Sequence, residues 1–189
     1  MKLIPAGAAH IGTDASDDMR NFGDRSSATV QLKAYCIDLY EWPDASGKAP
    51  KIAAGFSEAD ASCKRSGKRL CSEDEWEKAC KGPADLRFPY GSAFDPDACN
   101  TQDRATNPRK IAASGSFPNC RSGYGVFDLS GNAAEWTASS FEGTGPDKVV
   151  KGGNATRPAF DDRCSSRRRL SVNTHDINVG FRCCQDAAK

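Results

Sequence analysis

The 189-residue chain carries 26 basic and 25 acidic side chains, which gives it a formal net charge of +1. This balance argues against a broad face that binds nucleic acid or membrane, and no stretch approaches the roughly 18 apolar residues that a membrane span requires. Only 38% of the residues are apolar, and 17 glycines and 10 prolines are present. We therefore expect one domain, over residues 1–189, with a single core and many turns and loops.

The first predicted elements are two short strands, Thr29–Tyr35 and Cys36–Tyr40, in which apolar and polar residues alternate. A helix is predicted next at Ser57–Ser66, because its first residues offer an N-cap followed by good helix formers. A second helix has a clearer start, since Ser72 is a suitable N-cap and Glu75, three residues later, completes a capping box.

After this helix stops at a Lys-Gly-Pro sequence, regular periodicity fades between Phe88 and Asn119 and turn signals dominate. About thirty residues without a regular element are unusual in a compact domain, so bridges, ions or a function should hold this segment in place. Short strands are predicted again at Lys148–Lys151 and Asn178–Cys184. The whole pattern indicates an α+β domain with little regular secondary structure.

The nine cysteines are scattered and form no CxxC pair, and His10 and His175 are the chain's two histidines. Zinc sites need closely spaced thiol and imidazole ligands, so disulfides formed in an oxidising compartment explain the cysteines better. The odd count leaves one thiol over. We expect an extracytoplasmic domain (periplasmic, cell-surface or secreted) that reaches this space through a leader or anchor outside the sequence at hand.

Several phrases occur together in a characteristic order along the chain. They are Leu3-Ile4-Pro5-Ala6-Gly7, Tyr35-Cys36-Ile37-Asp38, Gly67-Lys68-Arg69-Leu70, Glu73-Asp74-Glu75-Trp76, Phe88-Pro89-Tyr90-Gly91, Cys99-Asn100-Thr101, Gly125 to Thr137, Lys151-Gly152-Gly153 and Gly180-Phe181-Arg182-Cys183. The ordered set resembles the formylglycine-generating enzyme family, also called the sulfatase-modifying factor domain. The resemblance runs from about Leu3 to Cys184 and implies an elaborated C-type-lectin-like fold.

The resemblance also implies two disulfide bonds, Cys63–Cys183 and Cys80–Cys164. Sequence alone leaves the connectivity of the other five cysteines open. Of the alternatives, we predict two further bonds, with Cys71 as the odd thiol. These are Cys99–Cys120, which would close the irregular segment, and Cys36–Cys184, which would join the terminal strands.

A calcium loop is the clearest functional element that the resemblance implies. The side chains of Asp128 and Glu135 and the carbonyls of Gly131 and Ala133 match the family's calcium ligands, and calcium prefers such oxygen ligands. Without the resemblance, a tight turn with a solvated Glu135 would be the simpler interpretation.

A second calcium site is implied less completely. Asn100 and Thr101 match its first ligands. Its downstream acidic ligand has no clear counterpart, and Asp103 or Asn107 are the candidates to replace it. The predicted cofactor is calcium in both cases.

The family's enzymes oxidise a cysteine of their substrate with oxygen and copper held by two thiols, and neither thiol is present here. The matching positions are Asn154 and Ala159. Copper(I) selects soft sulfur ligands, so this chemistry is not expected, and Ala134 also replaces an aromatic residue of the substrate groove.

Five residues are candidates for a ligand groove at this place. They are Asn154, Ala159, Arg163, Arg167 and His175. The arginines could bind an anion through their guanidinium groups. The alternative is a strand with solvated arginines and one buried ion pair, and a solvated loop histidine.

The sequence thus favours a non-catalytic, calcium-bound, disulfide-linked module that binds a peptide, a protein or a glycan, and no nucleic acid. Such domains occur as modules of bacterial surface proteins or kinases, so the chain is expected to be part of a larger anchored protein. The alternative is an enzyme of the same superfamily with altered chemistry, an oxidoreductase or a maturation factor. Fold alone does not decide between them.

Overall fold

A computed structural model describes residues 1–142 and 145–187 of the chain. It contains two α-helices and ten short strands, joined by long stretches without regular structure. The elements are β1 Lys2–Ile4, β2 Gly7–Ile11, β3 Ala28–Leu32, β4 Tyr35–Ile37, α1 Phe56–Arg65, β5 Arg69–Leu70, α2 Glu73–Lys81, β6 Ala134–Ser140, β7 Asp147–Lys151, β8 Arg167–Ser171, β9 Val179–Phe181 and β10 Cys183–Asp186. This is the α+β, C-type-lectin-like architecture predicted from the sequence.

Three small sheets organise the chain. One has the strand order β1-β4-β10-β5, a second has the order β8-β7-β6-β9, and β2 pairs with β3 alone. All pairs are antiparallel except β6 with β9. Because β1 and β10 both pair with β4, the two ends of the chain meet in one sheet.

Two apolar clusters form the core, one around each helix. Trp76 of α2 packs with Tyr35, Ile37 and Leu129, whereas Trp136 belongs to the cluster next to α1. The α2 helix begins as predicted: Ser72 is its N-cap, and its side chain and that of Glu75 form both hydrogen bonds of the capping box.

The prediction for α1 was wrong at its start. The N-cap is Gly55, which offers no side-chain hydrogen bond, and the helix begins at Phe56. The aromatic ring of Phe56 explains this position, because it lies edge-on against Trp136 at a centroid distance of 5.9 Å. Burial of an aromatic side chain stabilises the helix start in place of a polar cap.

Each of the four predicted strands overlaps an observed strand, but two of them joined strands that the structure separates. The predicted strand Thr29–Tyr35 ends at Leu32, and Tyr35 already belongs to β4. The predicted strand Asn178–Cys184 is β9 and β10, which lie in different sheets. The chain changes sheet at Arg182, whose side chain is fully buried.

Four disulfide bonds link distant segments: Cys63–Cys183, Cys80–Cys164, Cys99–Cys120 and Cys71–Cys184. The predicted bond Cys36–Cys184 was wrong. In the ladder of β4 and β10, Cys184 lies opposite Ile37, and Cys36 lies opposite Gln185. Directly opposite residues point to the same face of a sheet and successive residues to opposite faces, so Cys36 and Cys184 point to opposite faces.

The segment Phe88–Asn119 contains no helix or strand, as the sequence predicted. Its disulfide Cys99–Cys120 and the aromatic stack of Phe88 on Tyr90 stabilise its shape. Within residues 1–142 and 145–187, no helix is both long and apolar enough to cross a membrane.

Candidate functional site

The loop from Asp128 to Glu135 lies at the centre of the molecule and leads into β6. Asp128 and Asn132 adopt positive φ angles of 56° and 52°, which non-glycine residues adopt only when their surroundings hold them there. Gly131 is required by close packing, because a Cβ atom there would lie 2.4 Å from the carbonyl oxygen of Asn100. The loop is therefore tightly held by its neighbours.

Three buried carboxylates surround this loop. Glu135 receives two hydrogen bonds from the guanidinium of Arg182, both at 2.7 Å, and one from the Trp76 indole N–H at 2.6 Å. Asp128 accepts the backbone N–H of Gly115 at 2.6 Å. The third carboxylate is Glu41, which like Glu135 is fully buried.

The cluster carries more negative charge than its cation neutralises. Burial raises the pKa of Glu41 to about 8, and the charges of Asp128 and Glu135 add to this rise. Burial likewise raises the pKa of Asp128 to about 6. Three carboxylates against the single guanidinium of Arg182 leave two negative charges when all are ionised, and a divalent cation would match them.

The donor set is compatible with calcium if backbone oxygens take part. Within the described residues, no group of three or more histidine, cysteine, aspartate or glutamate side chains is arranged to hold a metal ion. Calcium accepts backbone carbonyls as readily as carboxylates, and the resemblance assigns the carbonyls of Gly131 and Ala133 to this role. The loop thus supplies the residue types and the unbalanced charge that a calcium ion needs.

Asn100 and Thr101, the start of the second predicted calcium site, border the same loop. The Asn100 amide donates to the carbonyl of Lys110 and to Asn132, at 2.9 and 2.8 Å. Asp103, a candidate for the missing acidic ligand, instead accepts the N–H groups of Ala105 and Asn107 in an exposed turn. These contacts make Asn100 a support of the loop at residues 128–135.

An apolar pocket of about 560 Å³ lies at Ala159, one of the two positions where the family has a thiol. Its apolar walls come from three distant segments of the chain. They are formed by Met19, Phe94, Pro96, Pro158, Ala159 and Phe160. Asp18, Asp103 and Arg104 lie at the same pocket. Its size falls in the range of ordinary ligand sites.

Fully exposed Phe22 extends the apolar surface near this pocket. The amide of Asn21, its neighbour in sequence, lies 3.5 Å from the carbonyl oxygen of Phe160 and 3.3 Å from the Asp161 carboxylate. Large exposed aromatic residues beside a pocket are typical of binding surfaces.

Asn154 and Arg167 line a different and much smaller cavity of about 20 Å³, which has room for about one water molecule. Asn154 is buried and its side chain caps a turn through the N–H of Thr156. Arg167 forms an ion pair with Glu73 at 2.8 Å. The two positions that carry thiols in the family therefore line separate cavities in this chain.

The structure places the predicted groove residues Arg163 and His175 away from the pocket at Ala159. Arg163 is fully buried and pairs with Asp24 at 2.7 Å, because the buried Asp24 carboxylate needs a cation. His175 lies beside the start of α1, where its ring packs on Gly55 and its Nδ1 is 3.0 Å from the carbonyl of Ala53. Neither residue lines the pocket at Ala159.

Sequence reasoning missed Glu41 and the aromatic pocket walls. Glu41 is a single acidic residue between two aromatic side chains, Tyr40 and Trp42, and this apolar setting was the available signal of burial. Met19 and Phe94 lie 140 and 65 positions before Ala159, so no spacing pattern could have grouped them.

These features define an α+β domain of the C-type-lectin-like type with a central acidic loop and an apolar surface pocket. The chain belongs to the family of sulfatase-modifying factor enzyme 1-like domains, whose family model matches residues 41–187. It is 32% identical over 155 residues to the inactive C-alpha-formylglycine-generating enzyme 2 of Mus musculus, which covers 74% of this chain and 50% of that relative.

Two further comparisons bear on the family and on the fold. The formylglycine-generating enzyme of Bos taurus is 31% identical over 166 residues, which are 72% of this chain and 44% of that enzyme. PvdO from Pseudomonas aeruginosa has a similar structure, with a TM-score of 0.83 at 19% identity over 98% of this chain and 93% of that one. The chain spans about half the length of the curated relatives it matches.

Proposed function

We propose that this domain is a calcium-stabilised binding module, which holds a peptide or protein segment in the pocket at Ala159 without modifying it. The observation that carries the proposal is the change at the family's catalytic positions. Ala159 lines an apolar pocket and Asn154 lines a separate small cavity, so neither the two thiols nor a common site for them is present. The similarity to a relative named inactive supports this proposal.

The remaining cysteines cannot replace the missing thiols. Eight of the nine cysteines are in disulfide bonds, and the free one, Cys36, lies on β4. Disulfide sulfur is not a thiolate, and copper(I) prefers several soft sulfur ligands. The four disulfides also support the proposal that the domain works in an oxidising, extracytoplasmic compartment.

In this proposal, calcium has a structural role. Asp128 and Glu135 would hold the ion together with the carbonyls of Gly131 and Ala133, and the ion would neutralise the buried charge of the loop. The loop lies between the segment at Asn100 and strand β6. With its negative charge neutralised by calcium, the loop would therefore stabilise the irregular segment that packs against it at Asn100.

The pocket chemistry favours a ligand with an apolar side chain beside a cation. Arg104 is already paired with Asp97 at 2.7 Å, whereas the Asp103 carboxylate accepts N–H groups of its own turn. Asp18 is 81% exposed and lies 3.2 Å from Arg87. Each carboxylate already has a partner in the chain, but both are exposed, so a basic group on the ligand could still approach them.

Selection from a random peptide display library, in buffer with calcium, tests the proposal. We expect wild-type protein to enrich peptides with an apolar residue, and Ala159→Arg, which fills the pocket, to lose them. Ile177→Arg is the matched control, because Ile177 is 68% exposed and does not line the pocket. Peptides that bind Ala159→Arg equally well, or a glycan array that binds where peptides do not, would contradict the proposal.

The alternative is an enzyme of the superfamily with altered chemistry, and the similarity to a formylglycine-generating enzyme favours it. Incubation of the wild-type protein with copper and a sulfatase-motif cysteine peptide, followed by mass spectrometry, separates the two. Conversion of the cysteine to formylglycine would establish the enzyme, and an unchanged peptide that still binds would support the module.

A further inference from the structure

Glu41 is the third carboxylate of the central cluster, and the resemblance assigns it no role. It lies beyond the end of β4, fully buried. Its carboxylate accepts four hydrogen bonds from three groups: the Ser114 hydroxyl at 2.6 Å, the Asn132 amide at 2.9 Å to each oxygen, and the Ala133 backbone N–H at 3.1 Å. Both oxygens are therefore used to hold other residues.

These contacts fall on the part of the calcium loop that supplies backbone oxygens. Asn132 and Ala133 directly follow Gly131, and Asn132 has the positive φ angle that turns the loop. The Asn132 side-chain oxygen in turn accepts the N–H of Ala112 at 2.9 Å and the amide of Asn100 at 2.8 Å. Glu41 thus binds the amide nitrogen of Asn132, whereas Ala112 and Asn100 donate to its amide oxygen.

Glu135 is held in a different way. Its two oxygens face Arg182 and Trp76, whereas those of Glu41 face neutral donors. Glu41 therefore holds the backbone and the Asn132 amide of the loop rather than pairing with a cation.

We propose that Glu41 is the positioning residue of the calcium loop: its hydrogen bonds to Asn132 and Ala133 set the backbone that carries the carbonyls of Gly131 and Ala133, and Glu41 does not bind the ion itself. This inference rests on the calcium part of the proposed function. Residues that orient metal ligands in this way affect metal affinity strongly, and their loss typically weakens binding by about 10–100-fold.

Terbium luminescence tests the inference, because Tb³⁺ replaces Ca²⁺ at oxygen sites and is sensitised by a nearby indole. Trp76 donates to Glu135 at 2.6 Å, so an ion bound to Glu135 would lie next to this indole. The experiment titrates wild-type protein, Glu41→Gln and Glu75→Gln with Tb³⁺ and then displaces it with Ca²⁺. Glu75→Gln is the matched control, because Glu75 serves the α2 capping box and Arg69 rather than the loop.

The expected result is calcium-displaceable luminescence for the wild type and for Glu75→Gln within a factor of about two of each other. Glu41→Gln should bind calcium at least about ten-fold more weakly. An affinity for Glu41→Gln within the same factor of two would overturn the inference and leave the calcium proposal standing. Absence of displaceable luminescence in the wild type would overturn the calcium proposal itself, and the inference with it.

A second variant covers the case in which Glu41→Gln does not fold, as judged by circular dichroism. Ser114→Ala removes the 2.6 Å hydrogen bond to Glu41 but leaves the carboxylate in place. One lost hydrogen bond corresponds to a weakening of about three-fold or more. Unchanged calcium affinity in folded Ser114→Ala would then count against the positioning role.

Discussion

The loop at residues 128–135 and the segment at residues 152–163 are both central to the family's enzymes, yet they differ in what this chain has kept. The loop retains its acidic residues and is held by a buried charge network around Arg182. The segment has no thiol at its two key positions and is instead held at its end by the Cys80–Cys164 bond.

This difference shows that the residues that stabilise the fold and the positions that carry the family's catalytic thiols lie in different segments. Replacement of the loop residues would leave buried charges without partners and destabilise the fold, whereas replacement of a surface thiol by Ala159 costs little stability. A domain can therefore lack the catalytic pair and still have the acidic loop. The comparison predicts which substitutions should unfold the protein and which should leave it intact.

The largest effect is expected when the segment loses its covalent link. The double variant Cys80→Ala/Cys164→Ala opens a loop with a sequence separation of 84 residues, and the chain-entropy relation gives a loss of about 4.5 kcal/mol. The matched variant Cys99→Ala/Cys120→Ala opens a separation of 21 residues and should lose about 3.3 kcal/mol. Urea unfolding measures both, and a reversed order would show that native-state contacts outweigh chain entropy here.

Removal of the loop's cation should have the next largest effect. Arg182→Met leaves Glu135 buried without its guanidinium partner, and breaking such a pair costs about 3–5 kcal/mol. Arg168→Met is the control, since the Arg168–Asp176 pair is partly exposed and surface pairs contribute at most about 1 kcal/mol. Equal losses of unfolding free energy in the two variants would contradict the central role of the cluster.

A smaller effect of opposite sign is expected in the segment. Asp162 is fully buried and neither of its carboxylate oxygens has a hydrogen-bond partner. Burial raises the pKa of Asp162 well above the ordinary value, and the charge of Asp161 adds to this rise. Asp162→Asn removes the cost of a buried charge, so we expect a stabilisation of about 1 kcal/mol at neutral pH, or about 2–4 °C in Tm.

The pH dependence of this gain follows from the raised pKa. Below the unfolded-state value of about 3.9 the carboxyl is protonated in both states, and the wild type and Asp162→Asn should be equally stable. As the pH rises towards the folded-state value, the unfolded state loses its proton first, so the wild type loses stability relative to the variant. Thermal melts from pH 4 upwards check this; a gain for Asp162→Asn that is largest at low pH would have the wrong sign.

The features of the fold and of the site that could be predicted from the sequence were those that depend on a few neighbouring residues. The capping box of Ser72 and Glu75 lies within four consecutive residues, so the sequence alone indicates it. The family phrases located the loop at Asp128. The bond of Cys71 to Cys184 depends on the pairing of β5 and β10, which join residues more than a hundred positions apart. The sequence does not give the strand register, and the register determines that Cys36 and Cys184 point to opposite faces of the sheet. Cys184 therefore pairs with Cys71 and not with Cys36.

Side-chain direction was the other missing information. Arg163 lies in an arginine-rich stretch that resembled a surface patch, yet its side chain turns inward to Asp24. Which arginine turns inward depends on where a distant acid is buried, and Asp24 precedes it by 139 residues. Buried ion pairs of this kind connect loops, so no periodic pattern marks them.

The smallest expected effect concerns the one cysteine that forms no disulfide within the described residues. Cys36 is partly buried on the face of β4 that also carries Leu3 and Gln185, and no disulfide depends on it. Cys36→Ser should change the free energy of unfolding by no more than about 0.5 kcal/mol, as measured in urea. It should also remove the single thiol that a labelling reagent detects in the folded wild type. Two or more labelled thiols in the wild-type protein would mean that a disulfide is open. Copper chemistry would then be possible, because open cysteines could supply the soft ligands that residues 154 and 159 lack.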